Sequence, residues 1–281
     1  MTAKTLMIQG TSSGVGKTIL VTALCRIFSN EGYIVSPFKS QNMSSYSYIG
    51  KGFEISRAQA IQAIAARSEI TPLINPILLK PLGNYMSQVF VNGTFYRKMH
   101  ASDYYKKFVL STGLKESKKS LDKLLKTNDI VILEGAGSPA EINLQKYDIA
   151  NLKMADYCKP PIILMTDIEK GGSFASIIGT LSLLDKKYQK LIKGFVINKF
   201  RGDIEILRPG YSILKKKTSK PVIGTIPLFE FKIPDEDSLH ANPAEISWTK
   251  KYLLILEKEI DYVAHIIEKN LDMKKIGKML H

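Results

Sequence analysis

The nonapeptide GTSSGVGKT at residues 10–18 lies between a short apolar run, residues 5–9, and a segment with helical apolar spacing, residues 18–28. A strand, a glycine-rich loop and a helix in this order are typical of a phosphate-binding loop, because backbone N–H groups and the helix N-terminus bind phosphate oxygens. Lys17 is expected to reach the β- and γ-phosphates of a nucleotide, and Thr18 to place its hydroxyl on Mg²⁺. The predicted N–H donors are Ser13, Gly14, Val15 and Gly16.

Outside this loop, apolar runs of strand length alternate with helical patterns. The runs are residues 33–38, 77–79, 88–91, 130–133, 162–165, 195–197 and 222–226. Several have no polar alternation, which indicates strands buried on both faces of a parallel sheet. Helices are predicted at residues 18–28, 54–67, 101–126, 173–184 and 204–217. The sequence therefore predicts an α/β fold with a doubly wound, mainly parallel sheet of the P-loop NTPase type.

The composition is that of a globular chain of 281 residues, 44% hydrophobic and 23% charged, which is long enough for a buried core. Two cysteines without CxxC spacing exclude a disulfide framework or a zinc ribbon. The longest apolar runs are too short to span a bilayer, and the N-terminus lacks a signal-peptide pattern. We therefore expect a cytoplasmic location and no membrane partner.

The charge is strongly basic: 40 Lys and Arg against 26 Asp and Glu give a formal net charge of +14. Such a balance favours polyanionic partners, among them substrates with phosphates or several carboxylates. The lysines fall in helical stretches and are not interleaved with aromatic residues, as a single-strand-binding surface would require. We therefore expect no nucleic-acid partner.

A carboxylate and a lysine are predicted beside the phosphate-binding loop. Glu134 ends the apolar run at residues 130–133, and ligands bind at the carboxyl ends of strands in parallel sheets. A buried carboxylate there would be costly without a cation, so Glu134 is expected to hold Mg²⁺. Lys39 follows the strand at residues 33–38 and could neutralise charge on a transferring phosphoryl group. A polar cluster after Lys39 indicates a substrate site: Ser40, Gln41, Asn42, Ser44 and Ser45.

The C-terminal part of the sequence has a different pattern. A proline-rich stretch, residues 234–245, marks a loop that ends the sheet region. Beyond it, one apolar stripe recurs at helical steps: Leu253, Leu256, Ile260, Val263 and Ile267. The sequence predicts a domain at residues 1–239 and a helical extension at residues 240–281, packed on that domain or at a subunit interface.

Eight strings of the sequence occur together, in a fixed order, between residues 3 and 239. They are GTSSGVGKT (10–18), PFKSQNM (37–43), ExxRAQA (54–60), NPILLKP (75–81), LEGAGSPAEINL (133–144), DIAN (148–151), DIEKGGSFA (167–175) and GFVINKFRGD (194–203). In this combination the chain resembles the cobyric acid synthases, amidotransferases of the cobalamin pathway whose synthetase domain is similar to dethiobiotin synthetase. The phosphate-binding loop alone would indicate only an NTPase.

The resemblance implies an activity and a set of site residues. Cobyric acid synthases use ATP and Mg²⁺ to amidate four peripheral carboxylates of adenosylcobyrinic acid a,c-diamide, with ammonia from glutamine, so a corrinoid carboxylate is the implied substrate. By position in the motifs, the implied Mg²⁺ ligands are Thr18, Glu54 and Glu134. The implied catalytic residues are Lys17 and Lys39, and Asn198 would face adenine. The implied substrate-binding residues are Gln41, Asn42, Ser44, Gly135 and Ser138. Asp148, Asn151 and Asp167 lie in family strings without a role that the sequence explains.

The family's usual chain continues into a glutaminase domain with a nucleophilic cysteine and a catalytic histidine. Residues 240–281 contain histidines but no cysteine, and neither Cys25 nor Cys158 has the surroundings of a nucleophile. We therefore expect no glutaminase within this chain. Three explanations stay open: a separate glutaminase subunit, which could dock on the 253–267 stripe, free ammonia as donor, or a different carboxylate substrate. A homodimer is also open, because related synthetases are dimers with sites near the interface.

Two other functions remain open. A ligase of the dethiobiotin synthetase type would act on a smaller substrate, but it leaves the QNM and GSPAEINL strings unexplained. A partitioning-type switch ATPase would bind DNA or an acidic membrane and typically carries an additional lysine near the start of its loop. This chain has Thr11, Ser12 and Ser13 there. The general loop pattern has its first glycine at the position of Thr11, whereas Gly10 is one residue early.

Overall fold

A computed structural model describes residues 2–234 and 246–280, and its strands form three sheets. In chain order the strands are β1 (Lys4–Gly10), β2 (Val35–Phe38), β3 (Gln41–Met43), β4 (Ser47–Ile49), β5 (Glu54–Ser56), β6 (Ile77–Gly83), β7 (Met86–Val91), β8 (Thr94–His100), β9 (Ile130–Glu134), β10 (Ile162–Asp167), β11 (Ile192–Phe200) and β12 (Val222–Pro227). The central sheet has six strands in the order β12-β11-β10-β1-β9-β2, and all neighbours are parallel. The carboxyl ends of these strands therefore lie at one edge, with β1 near the middle.

Helices cover both faces of the central sheet. They are α1 (Lys17–Asn30), α2 (Arg57–Ala65), α3 (Ala101–Asp103), α4 (Leu114–Thr127), α5 (Leu152–Cys158), α6 (Ser173–Leu183), α7 (Lys186–Leu191), α8 (Ile204–Thr218), α9 (Lys250–Lys269) and α10 (Met273–Met279). Side chains alternate along β1, so that Leu6 and Ile8 pack in one core with α1 and α9, whereas Met7 packs in another with α4 to α8. All five residues of β9 are buried. The prediction of a doubly wound parallel sheet is confirmed.

A second, smaller sheet packs beside the first in the order β3-β6-β7-β8, and β4 pairs with β5 as a separate ribbon. Its core joins Ile77 and Val89 to Tyr104 and Phe108. Tyr104 and Phe108 belong to a π-helical segment, Tyr104–Gly113, which lies between α3 and α4. The helix predicted over residues 101–126 is therefore interrupted.

The predicted helix at residues 54–67 is wrong at its start. Glu54–Ser56 forms β5, which pairs antiparallel with β4, and α2 begins at Arg57. Tertiary partners satisfy the backbone there, because the Glu54 N–H donates to Gly93 O and the Ser56 N–H donates to Asn75 Oδ1. These two N–H groups are therefore hydrogen-bonded in the extended conformation as well as they would be in a helix. The strand predicted at residues 33–38 likewise begins later, at Val35.

The C-terminal helix α9 packs on the domain's own core. Its buried side chains lie against α1: Leu256, Ile260, Val263, Ala264 and Ile267. Arg26 of α1, itself buried, forms an ion pair with Glu257. Because the chain itself covers this stripe, the stripe is not a docking surface for a glutaminase. The predicted loop at residues 234–245 and the predicted domain boundary after residue 239 fall at residues 235–245, outside the described part. In the ranges described, no helix is long and apolar enough to cross a membrane.

Candidate active site

The phosphate-binding loop joins β1 to α1, at the carboxyl edge of the central sheet. Gly16 adopts a left-handed backbone, φ +102°, directly before the first turn of α1. A Cβ there would lie 2.3 Å from Asn198 Nδ2, so both the conformation and the close approach require glycine. Asn198 itself donates to Val15 O at 2.8 Å. The structure thus brings the predicted adenine-facing residue into contact with the loop.

Lys199 forms a second contact from β11 to the loop. Its Nζ donates to Gly14 O at 3.0 Å and pairs with Asp167 Oδ2 at 2.8 Å. Two successive residues, Asn198 and Lys199, therefore bind two successive loop carbonyls. This fixes the loop against β11, and it gives Asp167 a contact role that sequence reasoning could not assign.

Glu134 is the centre of a buried polar cluster. Its Oε1 accepts hydrogen bonds from Thr18 Oγ1 and from Lys39 Nζ, both at 2.8 Å, and its Oε2 accepts one from Gln62 Nε2 at 2.5 Å. The side chains of Lys39 and Glu134 are only 3% and 0% exposed. Three predicted site residues thus meet at one carboxylate. Gln62 was missed, although its spacing of three residues from Gln59 places two amides on an otherwise apolar helix.

The cluster provides the ligands that Mg²⁺ prefers. Mg²⁺ is usually bound by one or two carboxylates together with phosphate oxygens and water, and Glu134 and Thr18 offer a carboxylate and a hydroxyl oxygen side by side. Within the described ranges, no group of three or more His, Cys, Asp or Glu residues could hold a metal. The donor set therefore fits a metal held jointly by protein and nucleotide. In this structure the positive charge beside Glu134 is Lys39.

Lys17 bridges the loop and the turn that follows β9. Its Nζ donates to Ser12 O at 3.0 Å and to Gly137 O at 3.2 Å, and the residue is 6% exposed. Lys17 therefore lies between two backbone segments that border the same space. That space is a cleft of about 440 Å³, lined by Lys17, Lys39, the loop, β3 and residues 136–150.

The predicted substrate-binding residues divide into two groups. Gln41, Asn42 and Ser138 line the cleft, and Ser44 and Gly135 are not among its lining residues. Both hydrogen bonds of Asn42 Nδ2 are made within the protein, to Ser56 Oγ at 2.7 Å and Gln59 Oε1 at 2.9 Å. Ser44 is buried and bonds to the backbone of Tyr46. Asn42 thus lines the cleft with its amide already bonded, Gln41 and Ser138 line it as well, and Ser44 lies behind it.

Glu54 lies apart from the other two predicted metal ligands in the hydrogen-bond network. Its Oε1 pairs with Lys80 Nζ and accepts from Ser47 Oγ, both at 2.5 Å. The pairing of β5 with β4 and the contact of Glu54 with Gly93 direct this side chain toward β6. As a metal ligand, Glu54 would have to exchange its bond with Lys80.

The DIAN string has a structural role beside the cleft. Asp148 Oδ1 accepts hydrogen bonds from the backbone N–H groups of Ala150 and Asn151, at 3.1 and 2.7 Å. Asn151 Nδ2 in turn donates to Ala136 O at 2.7 Å, in the turn after β9. Burial raises the pKa of Asp148 to about 6, although its hydrogen bonds act in the opposite direction. Asp148 and Asn151 therefore hold the turn that faces Lys17.

Comparison with known proteins agrees with this arrangement. The profile of the CobQ/CobB/MinD/ParA nucleotide binding domain matches residues 6–240. The chain belongs to this family. As a member of the CobQ/CobB/MinD/ParA nucleotide-binding domain family, it carries the P-loop that the sequence predicted.

Curated relatives within this family match at high identity. The chain is 54% identical over 244 residues to the probable cobyric acid synthase of Thermococcus onnurineus, covering 85% of this chain and 50% of that protein. It is 51% identical over 240 residues to the cobyric acid synthase of Clostridium novyi, covering 85% and 47%. The resemblance to cobyric acid synthases is confirmed. The chain spans about half the length of the curated relatives it matches.

A solved structure shares the fold. Apo McdA from Cyanthece superposes with a TM-score of 0.50 and 14% sequence identity, covering 99% of this chain and 100% of that one. At this identity the likeness concerns the arrangement of strands and helices alone, and it agrees with the doubly wound sheet.

Proposed function

We propose that the chain is the ATP-dependent synthetase part of a cobyric acid synthase, acting in the cytoplasm on the peripheral carboxylates of cobyrinic acid a,c-diamide. The observation that supports this proposal most is the convergence of Thr18 and Lys39 on Glu134, beside a cleft that Lys17 and Lys39 line. The proposed phosphate ligands are thus close to the proposed acid-binding surface. Relatives named cobyric acid synthase match over 85% of the chain.

The reaction explains why a carboxylate and ATP must meet. A carboxylate is a poor electrophile, because displacing its oxygen would expel an oxide-like leaving group. Transfer of the γ-phosphoryl group from ATP to a carboxylate oxygen gives an acyl phosphate and ADP. Ammonia then attacks the acyl carbon and expels inorganic phosphate, leaving an amide. The protein's share of the first step is mostly positioning and charge neutralisation.

The residues of the cleft fit these tasks. Lys17 is proposed to contact the β- and γ-phosphates, with the backbone of residues 13–18 binding the other phosphate oxygens. Lys39 is proposed to bind the transferring phosphoryl group from the acid side, because it lies after β2 on the far side of Glu134 from β1. Their two positive charges would stabilise negative charge that develops on the phosphoryl oxygens.

Mg²⁺ is the proposed cofactor, held by Thr18 and Glu134, and it supplies positive charge to the triphosphate. Lys39 shares Glu134 Oε1 with Thr18, so it would be released toward the phosphoryl group when the carboxylate binds another cation. We propose Glu54 as a third ligand on the basis of the family resemblance alone.

Ammonia is proposed to come from a separate glutaminase or from solution. The proposed assembly is a homodimer.

The test is incubation of the purified chain with ATP, Mg²⁺, ammonium chloride and cobyrinic acid a,c-diamide, read by mass spectrometry. Stepwise replacement of carboxyl hydroxyl by amino groups, absent without ATP, is expected. A parallel reaction with glutamine should give no product in a preparation free of glutaminase. ATP hydrolysis without any amide would contradict the proposal, and amide formation with glutamine alone would contradict the assigned ammonia source.

A parallel reaction with diaminopelargonic acid and bicarbonate tests the dethiobiotin synthetase alternative.

A further inference from the structure

Two tyrosines, Tyr105 and Tyr147, line the cleft, and we define them as its aromatic wall. Both residues line the cleft, are half-buried, and have ring centroids 5.7 Å apart with an interplanar angle of 53°. Met43 and Leu144 line the same cleft. Its lining therefore combines lysines and polar groups with aromatic and apolar side chains.

The wall is held from behind by a ladder of rings in the π-helical stretch Tyr104–Gly113. The Tyr104 ring lies 5.6 Å from that of Tyr105 and 5.3 Å from that of Phe108. Tyr104 is buried, and its hydroxyl donates to Gln41 Oε1 at 2.6 Å. The π-helical turn, a feature often found at functional sites, thus fixes Tyr104 in the core and leaves Tyr105 at the cleft.

The side chains of the wall residues line the cleft, and their polar atoms are the two hydroxyls. Among the described residues, neither the Tyr105 nor the Tyr147 hydroxyl has a hydrogen-bond partner, and Lys146 Nζ lies 5.7 Å from the Tyr147 centroid. What these two residues offer to the cleft is therefore the aromatic ring. Aromatic faces bind flat, apolar or conjugated surfaces by offset stacking.

The position of the wall separates it from the nucleotide base. Asn198, the predicted adenine contact, lies on β11, on one side of β1, whereas Glu134 ends β9 and Lys39 follows β2 on the other side. No residue of β10 or β11, both fully described, lines the cleft. The aromatic wall therefore lines a cleft to which the strand that carries Asn198 does not contribute.

We propose that the aromatic wall stacks on the face of a planar, conjugated macrocyclic acid while one of its peripheral carboxylates reaches Lys39. The inference rests on the proposed function and adds the residues that select a macrocycle over a small aliphatic acid. A small acid could contact the lysines, but it would leave the two rings uncovered. The wall thus acts on substrate selection and has no part in phosphoryl transfer.

The experiment measures binding of cobyrinic acid a,c-diamide to the full chain by equilibrium dialysis, together with steady-state kinetics of ATP-dependent amidation. Tyr105→Ala and Tyr147→Ala are compared with Tyr105→Phe and Tyr147→Phe, which keep the ring. Tyr262→Ala, an exposed tyrosine of α9, is the matched control. Thermal unfolding of every variant verifies that it folds.

Each alanine variant is expected to raise the Kd and the KM for the macrocycle about tenfold, the scale of losing one stacked ring and its buried area. The KM for ATP should stay within about twofold, and the phenylalanine variants should resemble the wild type, since no hydroxyl bond is lost. Alanine variants that bind the macrocycle like the wild type would overturn the inference and leave the proposed function intact. Phenylalanine variants that bind the macrocycle as weakly as the alanine variants would also overturn the inference. A wild-type chain that does not bind the macrocycle refutes the proposed function, and the inference falls with it.

Discussion

Lys39 Nζ lies 2.8 Å from Glu134 Oε1, and both side chains are almost completely buried. A buried ion pair of this kind contributes little to stability, because desolvation of both charges offsets their attraction. The arrangement does keep one cation and one anion at the end of the phosphate-binding loop, where Thr18 contacts the same oxygen. This agrees with the proposal that the pair is a preformed site for phosphate and metal.

Glu134→Gln tests this pair. The substitution removes the anion beside Lys39, and breaking a buried pair typically costs about 3–5 kcal/mol of unfolding free energy. We also expect the concentration of Mg²⁺ needed for half-maximal ATP turnover to rise, since an amide is a poorer ligand than a carboxylate. Urea unfolding and metal titration measure the two effects. Glu205→Gln, which alters an exposed ion pair with Arg208, should change stability by at most about 1 kcal/mol. An unchanged Mg²⁺ titration in Glu134→Gln would remove Glu134 from the metal site.

Lys17→Ala tests the phosphate-binding loop. Loss of one preorganised contact to the transferring phosphoryl group is expected to lower ATP-dependent amidation by about 10²–10³-fold. Lys216→Ala, an exposed lysine of α8, serves as the control for lost positive charge. The rates are measured with the mass-spectrometric assay. Activity of Lys17→Ala within twofold of the wild type would refute the role of the loop.

Gly135→Ala tests the turn after β9. A Cβ at Gly135 would lie 2.0 Å from Asn151 Oδ1, so Asn151 and its bond to Ala136 must shift. We expect a loss of about 1–3 kcal/mol in unfolding free energy, typical of overpacking, together with reduced activity. Gly179→Ala in α6, where a Cβ meets nothing within 4 Å, should instead stabilise the protein by about 0.4–1 kcal/mol. Equal stability of the two variants would contradict the close packing of Gly135.

The pKa of Asp148, raised by burial to about 6, predicts a pH dependence of stability. The folded state holds this proton more tightly than the unfolded state, so the Asp148 contribution is favourable at low pH and is lost as pH rises from about 4 through about 6. Asp148→Asn mimics the protonated form and keeps an oxygen acceptor for Ala150 and Asn151. Relative to the wild type, the variant should therefore gain stability between pH 4.5 and pH 7, as measured by urea unfolding at both values. A stability difference that stays constant with pH would contradict the raised pKa.

The sequence predicted the central sheet well, because its strands are uniformly apolar and buried on both faces, as in β9. It missed β3, β4 and β5, whose three residues each are too few to show a period. It also missed β8, in which six of seven residues are exposed and give no apolar alternation. These strands exist through pairing: β3 pairs with the distant β6, β4 pairs with β5, and β8 pairs with β7.

The candidate site was predictable where a residue type stands at a strand end or in the glycine-rich loop, as at Lys39, Glu134 and Lys17. Gln62 and the link between Asn151 and Ala136 were not, since each depends on which helix or turn packs over the loop. The ion pair of Glu54 with Lys80 was not predictable either. It depends on the pairing of β5 with β4 before α2 begins. The aromatic wall was equally hidden, since its two tyrosines lie 42 positions apart and meet only after folding.

A crystal structure with a non-hydrolysable ATP analogue and Mg²⁺ tests the central claim most directly. The account predicts the triphosphate on the backbone of residues 13–18, the metal in contact with Thr18 and Glu134, and Lys39 displaced from Glu134 Oε1 toward the γ-phosphate. A nucleotide bound elsewhere, with the Lys39–Glu134 pair intact and no metal beside Thr18, would contradict it.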